Sequence, residues 1–263
     1  MDGEIRFVRD ERDRRIGRLT LSHPGKLNAI SVSMWGALRT LAEGFDAVGA
    51  PPLAAIVIAG EGDNFAAGAD IEEFPAFRFD ERTLRAYHEG VIAPALQALL
   101  ATEVPLVAQI DGACVGGGLE IACCCDIRIA ARTARFGAPI AKLGFPMAPD
   151  ELAVVLAAAG RDSAAELLLE AGLIDAATAL QRGLVHRLAD DPAAEAWASA
   201  QRIAALPLEV ARANKRTLRQ LRPSPSTANA RRGHFDYADA EFHREGIRAF
   251  LERRAPRFDD TDA

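Results

Sequence analysis

Long apolar runs are missing from this 263-residue chain. No stretch approaches the roughly 20 apolar residues that a membrane-spanning helix requires. The N-terminal MDGEIRFVRDERDRRIG is charged where a secretory leader needs an apolar core, so a soluble, cytoplasmic protein without membrane contacts is expected. Cysteine is scarce as well, with four residues confined to Cys114–Cys125 and no Cys-x-x-Cys pair. Cys123, Cys124 and Cys125 are consecutive, and neighbouring side chains on a helix diverge by about 100°. They cannot converge on one metal, and no metal site is expected. Buried, they behave as small hydrophobes and suit a reducing compartment. An excess of positive charge is also absent: 31 basic against 37 acidic residues give a formal charge of −6, which argues against general nucleic-acid binding. There is no Ser-His-Asp signature and no metal-binding helix motif. The glycines at 116–118 do not extend into Gly-x-Gly-x-x-Gly, because Ile121 stands where the last glycine would fall, so a dinucleotide site is not expected. With 49% hydrophobic and 26% charged residues, the composition is that of a folded chain with a sizeable core, in one large domain or two.

What is present is most concentrated between Val104 and Ala130. A short apolar run, Val104–Ile110, predicts a buried strand. Gly112 breaks it, and Gly116, Gly117 and Gly118 lead into a helix carrying Glu120 in its first turn. Glycines leave backbone N–H groups unfenced, and the first amides of a helix have no internal acceptor, so an oxygen anion can lodge there beside a proton-transfer group. Further strands are predicted near 5–9, 16–21 and 54–59. Helices are predicted from Ser31 to about Val48, with Ser31 as N-cap, and from Glu81 to Leu100. Alternating strands and helices predict an α/β fold. Beyond Asp150 the pattern turns to alanine-rich helical pieces rather than another sheet, with Arg222-Pro223-Ser224-Pro225-Ser226 as the clearest loop signal.

The same residues carry a family resemblance. Gly116-Gly117-Gly118-Leu119-Glu120 followed by Cys125-Asp126-Ile127-Arg128-Ile129-Ala130 resembles the signature of the enoyl-CoA hydratase/isomerase (crotonase) family. Asn28-Ala29-Ile30, Phe65-Ala66-Ala67-Gly68-Ala69-Asp70, Ala171-Gly172-Leu173-Ile174 and Phe250-Leu251-Glu252-Arg253-Arg254 are similar to further family segments in the same order. The resemblance implies a crotonase-like spiral of ββα units over 1–200 and a helical C-terminal trimerisation region over 201–263. It implies a homotrimer or dimer of trimers acting on acyl-CoA, in fatty-acid or related metabolism. Coenzyme A would be part of the substrate, with no separate cofactor. By the same resemblance, the amides of Ala69 and Gly117 form the oxyanion hole, and Glu120 is a catalytic acid. Coenzyme A contacts fall to Leu27, Ala29, Ala66, Gly68 and Arg253. Lys26 is a further candidate for a phosphate.

Two departures bear on the chemistry. Hydratases of the family carry a second glutamate in Phe-Gly-x-Pro-Glu, where this chain reads Phe136-Gly137-Ala138-Pro139-Ile140. Isoleucine can neither accept a proton nor orient a water. A glycine-rich stretch that follows in the family is replaced by Phe145-Pro146-Met147-Ala148-Pro149-Asp150-Glu151-Leu152. Asp150 or Glu151 would supply the missing carboxylate from another direction, or Asp150 caps a helix beginning near Glu151, which is the preferred reading. Asp70 and Asp126 read as structural. His88 faces either the acyl pocket or solvent, and Phe74, Phe77, Phe79 and Tyr87 line either that pocket or the core. A single acid makes double-bond isomerisation easier to defend than hydration. The alternatives are another crotonase reaction (dehydration, decarboxylation or thioester hydrolysis) or a catalytically degenerate acyl-CoA-binding oligomer.

Overall fold

A computed structural model describes residues 2–45, 51–221, 227 and 231–258. The expected loop at Arg222–Ser226 and the last residues of the helix expected to reach Val48 lie outside the described residues.

A six-stranded sheet runs in the order β1 (Glu4–Arg9), β2 (Ile16–Ser22), β3 (Ala55–Gly60), β4 (Leu106–Ile110), β6 (Ile127–Ala131), β9 (Arg187–Ala189). Only the β1–β2 pair is antiparallel. A three-stranded sheet orders β5 (Ala113–Val115), β7 (Arg135–Gly137) and β8 (Leu173–Asp175). β3 and β4 are apolar almost without interruption because both faces of the sheet are covered. Leu19, Leu21, Ile56 and Ile58 face the main core, whereas Val57, Val107 and Ile129 pack with Ala196, Ala200 and Ala204 of a later helix on the opposite face. β1, by contrast, carries Glu4, Arg6 and Arg9 along the sheet's outer edge, which discourages pairing with another chain.

Helix α1 (Val32–Gly44) starts as expected at Ser31, whose hydroxyl accepts from the Met34 N–H at 3.3 Å. Its buried stripe is Met34, Trp35, Leu38 and Ala42. Gly36 sits exposed in the middle of this helix with nothing within 4 Å of where a Cβ would stand. Gly36→Ala should therefore stabilise the fold by about 0.5–1 kcal/mol through the lower entropy of the unfolded chain, read as a higher urea midpoint at unchanged slope with turnover unaltered.

The helix expected over Glu81–Leu100 is interrupted. It comprises α2 (Glu81–Tyr87), a π turn (His88–Ile92) and α3 (Ala93–Ala101). Pro94 has no N–H to offer the carbonyl one turn back and would crowd it, and the wider turn relieves both problems. α4 (Gly117–Cys124) is buried along its whole length, and all four cysteines are buried thiols outside any disulfide.

Past residue 149 the chain is not purely helical. The long α5 (Pro149–Leu169) breaks at Gly160, where φ is 76°. β8 and β9 then extend the two sheets, each pairing over three residues, too short to leave a periodic pattern in the sequence. α6 (Ala176–Gln181), α7 (Pro192–Ala204), α8 (Leu208–Leu221) and α9 (Glu241–Leu251) complete the described elements. Just beyond the last turn of α9, Arg253 takes a left-handed φ of 56°. None of the described helices is long and apolar enough to cross a membrane.

Candidate active site

Two loops meet at the mouth of α4. The first is anchored by Asn28, itself at a left-handed φ of 58°. Its side chain takes the His23 N–H at 3.1 Å and donates to the carbonyls of Glu61 and Asn64 at 2.9 and 2.8 Å. A short parallel bridge then joins Ile30 to Ala69: Ile30 N–H donates to Gly68 O at 2.7 Å, and Asp70 N–H to Ile30 O at 3.0 Å. The amide of Ala69, lying between these two bonds, is left without an acceptor among the described residues. The Gly117 amide, first in α4, is likewise unclaimed. Both residues, with Gly68 and Gly116, line a cavity of about 250 Å³.

Absent side chains make the approach possible. A Cβ on Gly117 would lie 2.8 Å from the Trp35 ring, and one on Gly118 would lie 2.6 Å from the Ala66 carbonyl oxygen. Gly116 holds a φ of 51°, which only glycine adopts at little cost.

Glu120, only 4% exposed, lines the same cavity. Burial pushes its carboxyl well above the usual range, and the nearby Glu151 pushes it the same way. Glu151 is the group whose position overturns the reading of its neighbourhood. Pro149 occupies the first turn of α5, so the helix starts earlier than expected, with Ala148 at the N-cap and no side-chain cap bond. Asp150 does not cap it. Its Oδ1 accepts instead from Thr227 Oγ1 at 2.7 Å and Arg231 Nη2 at 2.6 Å. Glu151, about 100° further round the helix, turns inward, is 4% exposed and lines the cavity. Burial raises its pKa to about 8, opposed by the charge of Arg78.

The π turn supplies the partner. His88 Nδ1 stands 2.5 Å from Glu151 Oε1, and the imidazole stacks on Phe235 with centroids 5.5 Å apart. Burial holds this ring neutral, so one proton bridges nitrogen and carboxyl. Of the two orientations left open for His88, the structure takes the one facing the pocket. The sequence signal was Pro94 six residues downstream, whose disruption of the helix re-aims the side chains before it.

Other candidates fall into place differently. Asp70 caps the 3-10 turn Ile71–Ala76 and pairs with Lys26 at 2.7 Å. Lys26 also meets Glu72 at 2.8 Å, so it is already occupied by carboxylates rather than waiting for a phosphate. Asp126 is structural, accepting from the Leu106 N–H at 2.7 Å and pairing with Lys215 at 2.8 Å. Leu27 is exposed and Gly68 faces the cavity. Ala29 and Ala66 have their backbone groups engaged within the chain: Ala29 with Lys26 O and His23, Ala66 with β5. They shape the loops from behind. Arg253 is exposed. Phe74 and Tyr87 line the cavity, while Phe77 packs on Tyr87 with centroids 4.3 Å apart and Phe79 lies against His243.

Comparison with known proteins gives this geometry its family. A family model described as enoyl-CoA hydratase/isomerase matches residues 11–261. A protein named probable enoyl-CoA hydratase from Mycobacterium bovis is 35% identical over 254 residues, spanning 94% of this chain and 96% of that protein. A mevalonyl-coenzyme A hydratase from Aspergillus fumigatus is 32% identical, spanning 91% and 90%. Among solved structures, an enoyl-CoA hydratase/carnithine racemase from Magnetospirillum magneticum superposes with a TM-score of 0.79 at 37% identity, covering 98% of this chain and 96% of that one. An enoyl-CoA hydratase/isomerase from Mycobacterium paratuberculosis reaches 0.81 at 26% identity, covering 96% and 99%. Twin glycine loops, a buried glutamate at the head of α4 and these matches along nearly the full chain lead to one assignment: the protein belongs to the enoyl-CoA hydratase/isomerase family and has the α/β spiral fold of the crotonases.

Proposed function

We propose that the protein adds water to the double bond of an enoyl-CoA thioester, and removes it in reverse, using Glu120 and Glu151 as a carboxyl pair. The observation that carries this reading is the entry of Glu151 into the cavity that holds Glu120 and the two free loop amides. Ile140, where hydratases of the family carry their second acid, lines that cavity too, and Glu151 restores a carboxyl from the neighbouring helix. Two-acid chemistry therefore replaces single-acid isomerisation as the preferred reading.

Ala69 and Gly117 donate to the thioester oxygen, which gains charge as the enolate forms, a contribution of roughly 3–4 kcal/mol per fixed donor. Glu151, the less strongly neutralised acid and the one in contact with His88, works from its ionised form, the minority near neutrality because its pKa is raised to about 8, and takes a proton from water as the oxygen bonds to the β-carbon. Glu120, held protonated by burial, gives its proton to the α-carbon. The proton gained by Glu151 then replaces the one Glu120 has lost. No external oxidant or metal enters this balance. His88 positions Glu151 by fixing one carboxyl oxygen. Leu27, Gly68 and Arg253 are the proposed coenzyme A contacts, with Ala29 and Ala66 behind them. The trimeric assembly, with 201–263 as its interface region, belongs to the same proposal. It is supported by Leu206, Val210, Leu218 and Leu221, apolar side chains left exposed on and beside α8.

The test is turnover of short and medium 2-enoyl-CoAs, followed by loss of the conjugated thioester absorbance and by mass. Gain of one water is expected, and Glu120→Gln should lower kcat about 10²–10⁴-fold. A product of unchanged mass with a moved double bond would instead assign isomerisation. Binding without turnover of any thioester would assign the degenerate acyl-CoA binder.

A further inference from the structure

Arg78 lines the same cavity as the two acids yet is given no part by the hydration chemistry. It is 1% exposed, and its guanidinium is clamped between Phe74 and Phe145, at 4.3 and 3.8 Å from the ring centroids. Nε donates to His243 Nε2 at 3.4 Å, and His243 in turn is fixed through Nδ1 to the Ala238 carbonyl at 3.0 Å. That leaves Nη2 buried with no hydrogen-bond partner. The Tyr237 hydroxyl is close enough to the guanidinium to interact with it, but neither group makes a well-formed hydrogen bond to the other.

Burying an unpaired cation is among the costliest choices a fold can make, and a methionine or leucine would fill this space without that cost. No carboxylate approaches Arg78 within ion-pair distance among the described residues. The two acids in the cavity are held largely protonated near neutrality by burial and His88 is neutral; Lys142 also lines the cavity but is exposed to solvent, so Arg78 is the buried charge left unbalanced there. The guanidinium stays charged at any ordinary pH, and its planar fork matches a carboxylate through two parallel bonds. Aromatic faces on both sides hold it ready for such a partner instead of leaving it to swing to solvent.

Resting on the acyl-CoA reading above, we infer that the acyl group taken by this protein carries a second, free carboxylate, which pairs with Arg78 inside the cavity. The substrate class is thus the mono-thioesters of dicarboxylic acids, not simple fatty acyl chains. The reaction that supplies such a substrate is one that attaches coenzyme A to one end of a diacid or oxidises its saturated thioester.

The decisive measurement is equilibrium binding of unreactive, saturated thioesters to the intact protein. Mono-CoA esters of the C4 to C8 diacids are titrated by calorimetry beside methyl-terminated and amide-terminated esters of equal length. At one or more lengths the carboxylate form should bind about 10- to 100-fold tighter than either partner, as for a hydrogen bond to a charged group. Arg78→Met should erase that preference, and Arg78→Lys should retain part of it. Equal affinities for carboxylate and methyl ends at every length in the unmodified protein would overturn the inference, whether or not either variant folds. So would an Arg78→Met protein that folds and weakens all three series alike, since the guanidinium would then serve only the cavity's internal charge balance. Because no turnover is needed, the outcome separates from that of the hydration proposal. Glu151-dependent hydration without carboxylate preference sinks this inference alone, and carboxylate preference without hydration sinks only the other.

Discussion

Glu151→Gln lowers kcat for hydration by about 10²–10⁴-fold, the usual loss when one positioned acid or base is removed, while the affinity for a saturated thioester changes little. Asn at the neighbouring Asp150 provides the contrast. That carboxylate faces Thr227 and Arg231 outside the cavity, so its removal leaves kcat within a few-fold. The same Glu151 variant carries a second signature. A carboxyl whose folded pKa is raised to about 8 holds its proton in the folded state over a range where the unfolded chain has released it. Stability contributed by that proton is present below the unfolded value near 4.5 and is lost as pH rises through about 8. Thermal melts of wild type and Glu151→Gln at pH 6, 7, 8 and 9 should thus diverge in favour of the variant as pH increases. A parallel pair of curves, or a kcat loss no larger for Glu151 than for Asp150, would remove Glu151 from the chemistry.

Gly118→Ala is expected to lower kcat by about 10²–10³-fold, although residue 118 touches no proposed reacting atom. Its Cβ would stand 2.6 Å from the carbonyl oxygen and 2.8 Å from the Cβ of Ala66, and neither belongs to the far end of a flexible side chain. One loop has to move. Ala66 is tied to β5 through Ala66 N–H to Ala113 O and Val115 N–H to Ala66 O, at 2.9 and 3.0 Å, so the displacement falls on the turn that carries Gly117 or on the loop that leads from Ala66 to Ala69. Either shift spoils the alignment of a donor pair, and misplacing one such donor accounts for the expected loss. Overpacking of this kind also costs roughly 1–3 kcal/mol of stability, so folding must be checked by circular dichroism. A folded Gly118→Ala protein with wild-type kcat would show that the amides are not a tuned pair.

How far each feature was legible follows from the range of the interaction that fixes it. Ser31, the apolar run of β4 and the glycines before Glu120 act within a few residues, and the helix start, buried strand and unclaimed amides are where the sequence placed them. The three-residue strands β8 and β9 were missed because so short a segment becomes a strand only through its partner. Pro94 and Pro149 were visible, but their consequences were not drawn: one widens a turn at His88, the other advances a helix start by two residues. Together they bring His88 and Glu151, 63 positions apart, into hydrogen-bond contact. Arg78 was unreadable for a different reason. A lone arginine between Phe77 and Phe79 looks like any surface cation until the fold closes Phe74, Phe145 and His243 around it.

The sequence by itself determined the family, the α/β alternation and the glycine loops with their unclaimed amides, because glycine at fixed positions and an apolar strand leave a backbone few choices. Only the tertiary structure decided which carboxyl joins Glu120 and which cation faces them. Those depend on the direction of side chains from distant helices, and on burial strong enough to keep two acids largely protonated near neutrality beside an unpaired guanidinium.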